Sequence, residues 1–356
     1  MARRLDRATG GTNGTPDAGR APRRKTTPTI SDVAALAGVS TATVSKSLNG
    51  RDGISPTTRA KVVAAAEQLG FRANALAKSL LSGRSYTVGL ITNDSFGRFS
   101  IPVMLGAEDA LQAGQIAVLL CDGRDDPIRE RHYIRTLAAR RVDGIMVTGR
   151  RADPRPPITP DFPIPVVYAM CESTDPRDAS IVPDDEHGGT LAVEHLLATG
   201  RTSIGHVTGP SDFRAVRLRA AGAEHALRRA GLSFAGGGPL HGSWSEEWGR
   251  QEATILLRAR GDLDAVFCGS DQIARGVADG LRAAGCAVPD DVALVGFDNW
   301  TVMAEASRPP LTTIDMNLPL VGRRAAETLL ASIEGTATSG TELVPCQLVV
   351  RESTRV

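Results

Sequence analysis

A short stretch near the N-terminus gathers side chains that could bind a polyanion. Residues 32–49, "DVAALAGVSTATVSKSLN", place several hydroxyl groups and Lys46 behind a Gly-Val-Ser break. Residues 1–84 carry 14 Lys and Arg against 5 Asp and Glu, whereas the remaining residues carry 27 against 35. A basic head on an acidic body is typical of a polyanion-binding module joined to a separate domain. The excess continues from Lys46 to Arg84, so a basic tail alone does not account for it.

The elements that must position these groups are short helices. Thr29 can open a first helix with a capping box, and Gly38 can end it in the left-handed conformation. Ser40 can then cap a second helix over 41–49, and Ser55 a third. Three such helices can share one small core and leave the second free to enter a major groove. The helices alone fit a generic helical hairpin equally well.

The rest of the chain alternates short apolar, β-branched segments such as "YTVGLIT" and "DVALVGFD" with helical segments. This alternation predicts parallel sheets covered by helices on both faces. No G-x-G-x-x-G follows a strand, and neither HExxH nor GxSxG occurs. The chain has no lysine after Lys78, which excludes a Walker A loop and a lysine nucleophile from the body. We therefore expect no catalytic site and no cofactor.

Cysteine usage and hydropathy indicate the compartment. The five cysteines are scattered and never form a CxxC pair, which favours buried thiols over disulfides or zinc ligands. No apolar run is long enough to span a bilayer. The basic residues of the N-terminus are not followed by an apolar segment, so residues 1–27 are expected to be a disordered tail rather than a secretory signal. A cytoplasmic protein is the expectation.

The amino-acid sequence of the head is more informative about function than its pattern of helices. The segment "TISDVAALAGVSTATVSKSLNGRDGISPTTRAKVVAAAEQLGFRANALAKSLLSGRSYTVGLI" closely resembles the start of the lac repressor (LacI/GalR) family of bacterial transcription regulators, in register and without gaps. The resemblance continues through "GSDQIARGVADGLRAAGCAVPDDVALVGFDN" and "PPLTTIDMNLPLVGRRAAETLL", and it covers about residues 28–356.

This resemblance implies a fold of two parts. They are an N-terminal all-α helix-turn-helix head with a hinge helix, and an α/β periplasmic-binding-protein-like body of two parallel-sheet subdomains. The implied boundaries are 28–72 for the head, 73–84 for the hinge and 85–356 for the effector-binding and dimerisation body. Subdomain 1 would span about 85–200 and 311–338, and subdomain 2 about 201–310 and 339–356.

The resemblance also assigns DNA contacts to individual residues of the head. Base edges would be read by Thr41, Ala42 and Lys46; phosphates would be held by Thr29, Ser40, Asn49, Ser55 and Thr58; and Leu80 of the hinge would wedge into the minor groove. The family usually has arginine where this chain has Lys46, and lysine lacks the bidentate fork for guanine, so we expect a shifted operator preference. Capping alone is the alternative role for the hydroxyl residues, and a plain helical linker is the alternative for the hinge.

Effector contacts are implied in the body. Arg219 matches an effector-clamping arginine, Asp298 an acidic ligand contact, and Trp244 an aromatic residue that packs on a sugar ring. Further candidates, at positions where the wording departs from the family or varies within it, are Ser270, His187 and Phe99. The alternatives are a surface position for Arg219, a core position for Trp244 and a turn cap for Asp298. A sugar or related polar metabolite is the expected effector.

The function implied is a ligand-responsive repressor that binds a palindromic operator as a homodimer, because one helix-turn-helix reads only half a site. A sugar-binding sensor whose basic head does not read DNA is the alternative, and an enzyme on the α/β body lacks a catalytic constellation. We also expect Arg219→Ala to remove effector-induced stabilisation without much lowering the melting temperature of the empty body.

Overall fold

The structure is a computed structural model, and it describes residues 28–48, 53–71, 83–112, 115–158, 164–259 and 262–355. The chain divides into two compact units, residues 1–82 and 83–356, called here the head and the body. The predictions at Asn49 and Leu80, the tail over 1–27 and nearly all of the hinge over 73–84 lie outside the described residues.

The head is built from three helices in the residues described. They are α1 (Ile30–Ala37), α2 (Thr41–Leu48) and α3 (Pro56–Leu69). Val33, Val44 and Val62, one from each helix, are fully buried and form the centre of a small core. The Thr29 capping box is present, and Gly38 ends α1 with a φ of +68°. The predicted helix-turn-helix head is confirmed.

The body alternates strands and helices. Its strands are β1 (Thr87–Thr92), β2 (Ala117–Asp122), β3 (Gly144–Thr148), β4 (Pro154–Arg155), β5 (Val166–Ala169), β6 (Glu172–Ser173), β7 (Ala179–Pro183), β8 (Ile204–Thr208), β9 (Leu240–His241), β10 (Ala265–Cys268), β11 (Ala293–Phe297), β12 (Thr312–Asp315), β13 (Gly340–Val344) and β14 (Gln347–Val349). Its helices are α4 (Ser100–Gln112), α5 (Pro127–Ala139), α6 (Asp185–Ala198), α7 (Arg214–Arg229), α8 (Glu246–Ala259), α9 (Asp271–Ala283), α10 (Thr301–Ala304) and α11 (Leu318–Ile333).

Twelve of these strands form two six-stranded sheets, one in each subdomain, and β4 and β6 form a separate two-stranded parallel sheet. The first has the order β13-β7-β5-β3-β1-β2 and is parallel throughout; the second has the order β14-β12-β11-β10-β8-β9 and is antiparallel only where β12 pairs with β14. Every residue of β3, β7, β8 and β11 is buried, as expected for parallel strands covered on both faces. The prediction of two parallel-sheet subdomains is confirmed.

Three helix pairs pack at close range through glycine. A Cβ added at Gly106 of α4 would lie 1.9 Å from the Pro319 carbonyl oxygen of α11. A Cβ added at Gly222 of α7 would lie 1.9 Å from the Glu186 carbonyl oxygen of α6. One added at Gly276 of α9 would lie 2.0 Å from the Glu246 carbonyl oxygen of α8. Because no other residue fits at these distances, glycine here fixes which helices lie side by side.

The subdomain boundaries differ from those expected at three segments. Helix α6, expected in subdomain 1, packs against α7 and the second sheet. Strand β12 belongs to the second sheet rather than to subdomain 1, and β13 belongs to the first sheet rather than to subdomain 2. The chain therefore passes between the sheets after β7, after β12 and after β13. Apolar alternation predicts strands but not the sheet each one joins, because both sheets bury their strands equally.

Candidate DNA-binding face and candidate effector cleft

The residues expected to read bases lie on one exposed surface of α2. Thr41 and Ala42 occupy its first turn, Lys46 follows four residues after Ala42, and all three are exposed. Val44 and Ser47 are buried on the other side of the same helix. This helix therefore presents to solvent the side chains that would meet a major groove.

The hydroxyls expected to contact phosphate stand at helix starts. Thr29, Ser40 and Ser55 are exposed, and each accepts a hydrogen bond from the backbone N–H three residues further on. Thr58 lies in the first turn of α3 and supplies that N–H to Ser55 at 3.1 Å. Capping is thus a role that these residues have. The phosphate contacts stay predictions, and Asn49 lies outside the described residues.

Arg219 is the centre of a charged cluster inside the body. Its side chain is 5% exposed, and its Nε donates to Asp185 Oδ1 at 2.8 Å. Nη1 donates to the Gly269 carbonyl oxygen at 2.7 Å and lies 3.4 Å from Asp298 Oδ1. The guanidinium stacks on the ring of Phe297, 3.6 Å from its centroid. Arg219 is therefore not a surface residue, and its fork is fixed on several sides.

Asp298 directly follows β11 and has a strained backbone conformation of the kind found at functional positions. Its φ of +100° is rare for a residue with a side chain. Burial raises the pKa of Asp298, and the neighbouring Arg98 and Arg219 oppose this rise. The Oδ2 atom forms an ion pair with Nη2 of Arg98, which reaches across from the loop between β1 and α4 in subdomain 1. The carboxylate thus joins both subdomains.

Arg98 and Trp300 were missed by the sequence analysis. The Arg98 guanidinium lies 4.4 Å from the centroid of Trp300 and 4.8 Å from that of Phe99, so the predicted Phe99 contributes through Arg98. The signal for Arg98 was the segment "SFGRFSIP", whose wording departs from the family. The signal for Asp185 was its place in "PDDE" before a helix.

Two polar residues hold the second sheet's side of this cluster in place. Ser270 is the N-cap of α9, where its hydroxyl accepts from the Ile273 N–H at 3.2 Å. Asp271 accepts from the Trp300 N–H at 2.7 Å and from the Thr313 hydroxyl at 2.5 Å. Ser270 therefore caps α9, and Asp271 positions Trp300. An effector contact by Ser270 stays a prediction.

The remaining predicted effector residues lie in other surroundings. Trp244 is half-buried, packs against the core of subdomain 2 and meets Phe213 edge-on at 5.6 Å. A Cβ at Gly209 would lie 2.3 Å from the Trp244 ring, so the indole covers the end of β8. His187 is exposed in the first turn of α6. The structure brings Arg219, Asp298 and Phe99 together through Arg98, whereas Trp244 and His187 stay separate predictions.

A second set of contacts joins the subdomains at α7. The first residue of α7, Arg214, donates its backbone N–H to Asp153 Oδ1 at 2.7 Å, and its Nη1 pairs with Glu172 Oε2 at 2.6 Å. The guanidinium of Arg151 stacks 3.6 Å from the centroid of Phe213. Since the N-cap residue Phe213 makes no side-chain cap, a carboxylate from subdomain 1 caps this helix of subdomain 2.

A cavity of about 450 Å³ opens in subdomain 1 where its strands end. Its polar lining includes Asn93, Arg150 and two ion pairs, Arg155 with Glu130 at 2.6 Å and Arg150 with Asp125 at 3.0 Å. Of the residues that the structure describes, this lining includes none of the predicted effector contacts. The position at the carboxyl ends of parallel strands is nevertheless where ligands bind in open α/β folds.

Asp271 makes the stability of the body depend on pH. Burial, and next the charge of Asp298, raise the pKa of Asp271 to about 8. A carboxyl whose pKa is higher in the folded state stabilises that state fully below its unfolded pKa, and the contribution is lost as pH rises through about 8. An asparagine in its place can accept from Trp300 N–H and donate to the Thr313 hydroxyl, and it does not titrate.

We therefore expect Asp271→Asn to reduce the loss of stability between pH 5 and pH 8, by about 1.4 kcal/mol for each unit of pKa shift removed. Urea unfolding of both proteins at pH 5, 6.5 and 8 measures this. Asp279→Asn, on the same helix with its side chain 35% exposed, is the control and should keep the wild-type slope. Parallel pH profiles for Asp271→Asn and the wild type would contradict the assignment.

Comparisons with known proteins agree with this architecture. The family model for bacterial regulatory proteins of the lacI family matches residues 29–74, and that for a periplasmic binding protein-like domain matches residues 193–354. The HTH-type transcriptional regulator CelR of Thermobifida fusca is 35% identical over 341 residues, which are 93% of this chain and 99% of CelR.

Two solved structures extend the similarity to the whole fold. A CelR–cellobiose complex superposes with a TM-score of 0.65 at 32% identity and covers 92% of this chain and 99% of its own. A lac repressor dimer bound to operator and the anti-inducer ONPF gives a TM-score of 0.67 at 29% identity, covering 93% and 100%. Among the described residues, no helix has the length and apolar composition needed to cross a membrane. Because the similarity to CelR spans both the head and the body, the chain belongs to the lacI family of bacterial regulatory proteins and is a DNA-binding transcriptional regulator.

Proposed function

We propose that the protein is a repressor that binds a palindromic operator as a homodimer and responds to a sugar held between the subdomains of its body. The observation that carries the proposal is the surface of α2, which exposes Thr41, Ala42 and Lys46 while Val44 anchors the helix in the core. One such head reads a half-site, so two-fold pairing follows from the geometry of recognition. The operator-bound dimer of the lac repressor supports this arrangement.

The effector would bind at the cluster formed by Arg219, Asp298 and Arg98. A planar guanidinium and a carboxylate suit the paired hydroxyls of a sugar ring, and Trp300 and Phe99 offer aromatic faces for its apolar side. The CelR–cellobiose complex supports a saccharide as the class of ligand. Trp244, Ser270 and His187 are further candidate contacts.

The effector would act by changing the angle between the subdomains. Arg98 and Asp298 connect the two subdomains, as do Arg214 and Glu172, so a ligand bound beside Asp298 makes different contacts in open and closed states. We infer that the body binds and releases its ligand unchanged, without catalysis. Because the target is chromosomal DNA, we infer a cytoplasmic location.

The test begins by finding the operator. Genomic footprinting of the full-length protein should reveal protected sites with two-fold symmetry, and a panel containing cellobiose, glucose and ribose should include a sugar that changes protection. Protected sites without two-fold symmetry would contradict dimeric operator recognition. Operator binding that no saccharide alters would contradict a sugar effector.

On that operator, Lys46→Ala should weaken binding by about 1–3 kcal/mol and weaken binding to random DNA much less, because the lost contact is to a base edge. Fluorescence anisotropy with both DNAs measures the difference. Lys61→Ala removes the same charge from an exposed position on α3 and is the matched control. Equal losses on operator and random DNA for Lys46→Ala would show that the lysine contacts only phosphate.

A further inference from the structure

One arginine of subdomain 1 sits inside the charged cluster of subdomain 2. Arg98 pairs with Asp298, stacks over Trp300 and Phe99, and leaves 17% of its side chain exposed. It comes from the loop that follows β1, whereas Asp298 and Trp300 follow β11. The guanidinium therefore lies against the two rings and beside the carboxylate, so a ligand in this cleft would contact Arg98 together with them.

The cluster is electrically balanced only when Arg98 is counted. Arg219 and Asp185 pair with each other and are 5% and 2% exposed, so they compensate one another. Asp298 is 6% exposed, its closer cationic partner is Arg98, and it shares Arg219 at 3.4 Å with Asp185. Asp271 adds no full charge at neutral pH, because burial raises its pKa to about 8. Two guanidinium groups thus face two carboxylates, and a charged ligand would leave one buried charge unpaired.

In the described part of the chain, buried polar atoms without a hydrogen-bond partner lie at or just beyond the carboxyl ends of strands in both subdomains. Among the described residues, the buried Nε of Arg98 has no hydrogen-bond partner. The same holds for the hydroxyls of Thr148, at the end of β3 in subdomain 1, and Thr208, at the end of β8 in subdomain 2. Buried polar groups are rarely left unpaired, and hydroxyl groups of a ligand can satisfy both donors and acceptors without adding charge.

We propose that Arg98 determines the specificity of the effector site by completing its charge balance, so that the site selects an uncharged, hydroxyl-rich sugar over its acidic and amino counterparts. This inference rests on the proposed sugar-binding function of the cleft. Without the Arg98 charge, Asp298 would favour a ligand that supplies a cation of its own.

The test compares matched saccharides on the full-length protein. Calorimetry would use glucose, glucuronate and glucosamine, and cellobiose with its uronic acid and amino analogues, on wild type and Arg98→Met. Methionine keeps the apolar contact with the two rings but removes the charge. Within each set of three saccharides, the wild type should bind the neutral sugar most tightly. In Arg98→Met, the ratio of the affinity for the neutral sugar to the affinity for the amino sugar should fall at least tenfold. An unchanged ratio, or a wild type that prefers a charged sugar, would overturn the proposal.

Two further variants separate charge from shape. Arg98→Lys retains the cation and should retain the preference for the neutral sugar. Arg214→Met removes the other arginine that joins the subdomains, paired with Glu172, and should leave the ratio unchanged. A ratio that shifts equally in Arg214→Met would mean that loosened closure, rather than the charge of Arg98, sets the preference.

A measurement without ligand distinguishes failure of this inference from failure of the sugar-binding function. At pH 7, Arg98→Met should lower the melting temperature by several degrees, and adding Asp298→Asn should restore at least half of that loss. If no saccharide binds but this coupling is present, the sugar effector is wrong and the charge balance stands. Strictly additive effects of the two substitutions would refute the role of Arg98 as the counter-ion of Asp298.

Discussion

Replacing Arg219 with methionine is expected to lower the free energy of unfolding of the body by about 3–5 kcal/mol and to abolish effector binding. The Asp185 carboxylate, 2% exposed, would lose its ion pair, and the Gly269 carbonyl would lose its donor. This reverses the sequence-based expectation for Arg219→Ala, in which the empty body keeps its melting temperature. That expectation treated the side chain as a ligand contact alone, whereas here it also neutralises a buried acid.

Urea unfolding without effector measures the loss, and calorimetry with the saccharide that binds the wild type measures the binding. The double variant Arg219→Met with Asp185→Asn should recover part of the lost stability, because no unpaired carboxylate remains, but should not recover binding. Arg229→Met, on the same helix with an exposed ion pair to Glu194, is the control and should change stability by less than about 1 kcal/mol. Wild-type stability in Arg219→Met would show that Asp185 can be hydrated or protonated at little cost.

A fragment that begins at Gly83 should lose operator binding by a factor of about a thousand or more and still unfold as a cooperative unit. In the part of the chain that the structure describes, the hydrophobic core of the head lies within residues 30–71, and the core clusters of the body use none of these residues. Every proposed DNA contact precedes the division at residue 83.

Anisotropy on the operator and a far-UV melt measure the two properties, with the full-length protein in parallel. The fragment should keep its effector-induced rise in melting temperature, which serves as the internal control for an intact cleft. A fragment that retains specific operator affinity would place DNA recognition in the body. A fragment that melts without cooperativity would show that the body depends on residues before Gly83.

Local signals in the sequence predicted local features well. The cap at Thr29, the left-handed Gly38 and the start of α3 at Ser55 were each predicted from two or three neighbouring residues, and the structure has all three. Short apolar runs likewise predicted the principal strands, because apolar and β-branched residues suit strands of a sheet that is covered by helices on both faces. The family resemblance, rather than these patterns, pointed to Arg219 and Asp298 as effector contacts.

The features missed depend on contacts between distant parts of the chain. Arg98 and Asp298 are 200 residues apart, and nothing near either one predicts the other. The expected assignment of segments to subdomains was wrong at α6 and β13 for the same reason, since the sequence of each segment would be the same whichever sheet it joined. The cap of α7 by Asp153 is another example. Phe213, the N-cap residue of that helix, has no side chain that can cap it, and the carboxylate that does so lies 60 residues earlier in the chain.

The glycine contacts between helices have a consequence for how the body can move. Each of the three pairs, α4 with α11, α6 with α7 and α8 with α9, joins helices that cover the same sheet. Backbones held this closely cannot slide without collision, so each subdomain behaves as a stiff block. Flexing is then expected at the three short crossings near Asp184, Met316 and Cys346. These contacts favour a hinge at the crossings over a shear mechanism in which helices of one subdomain slip past one another.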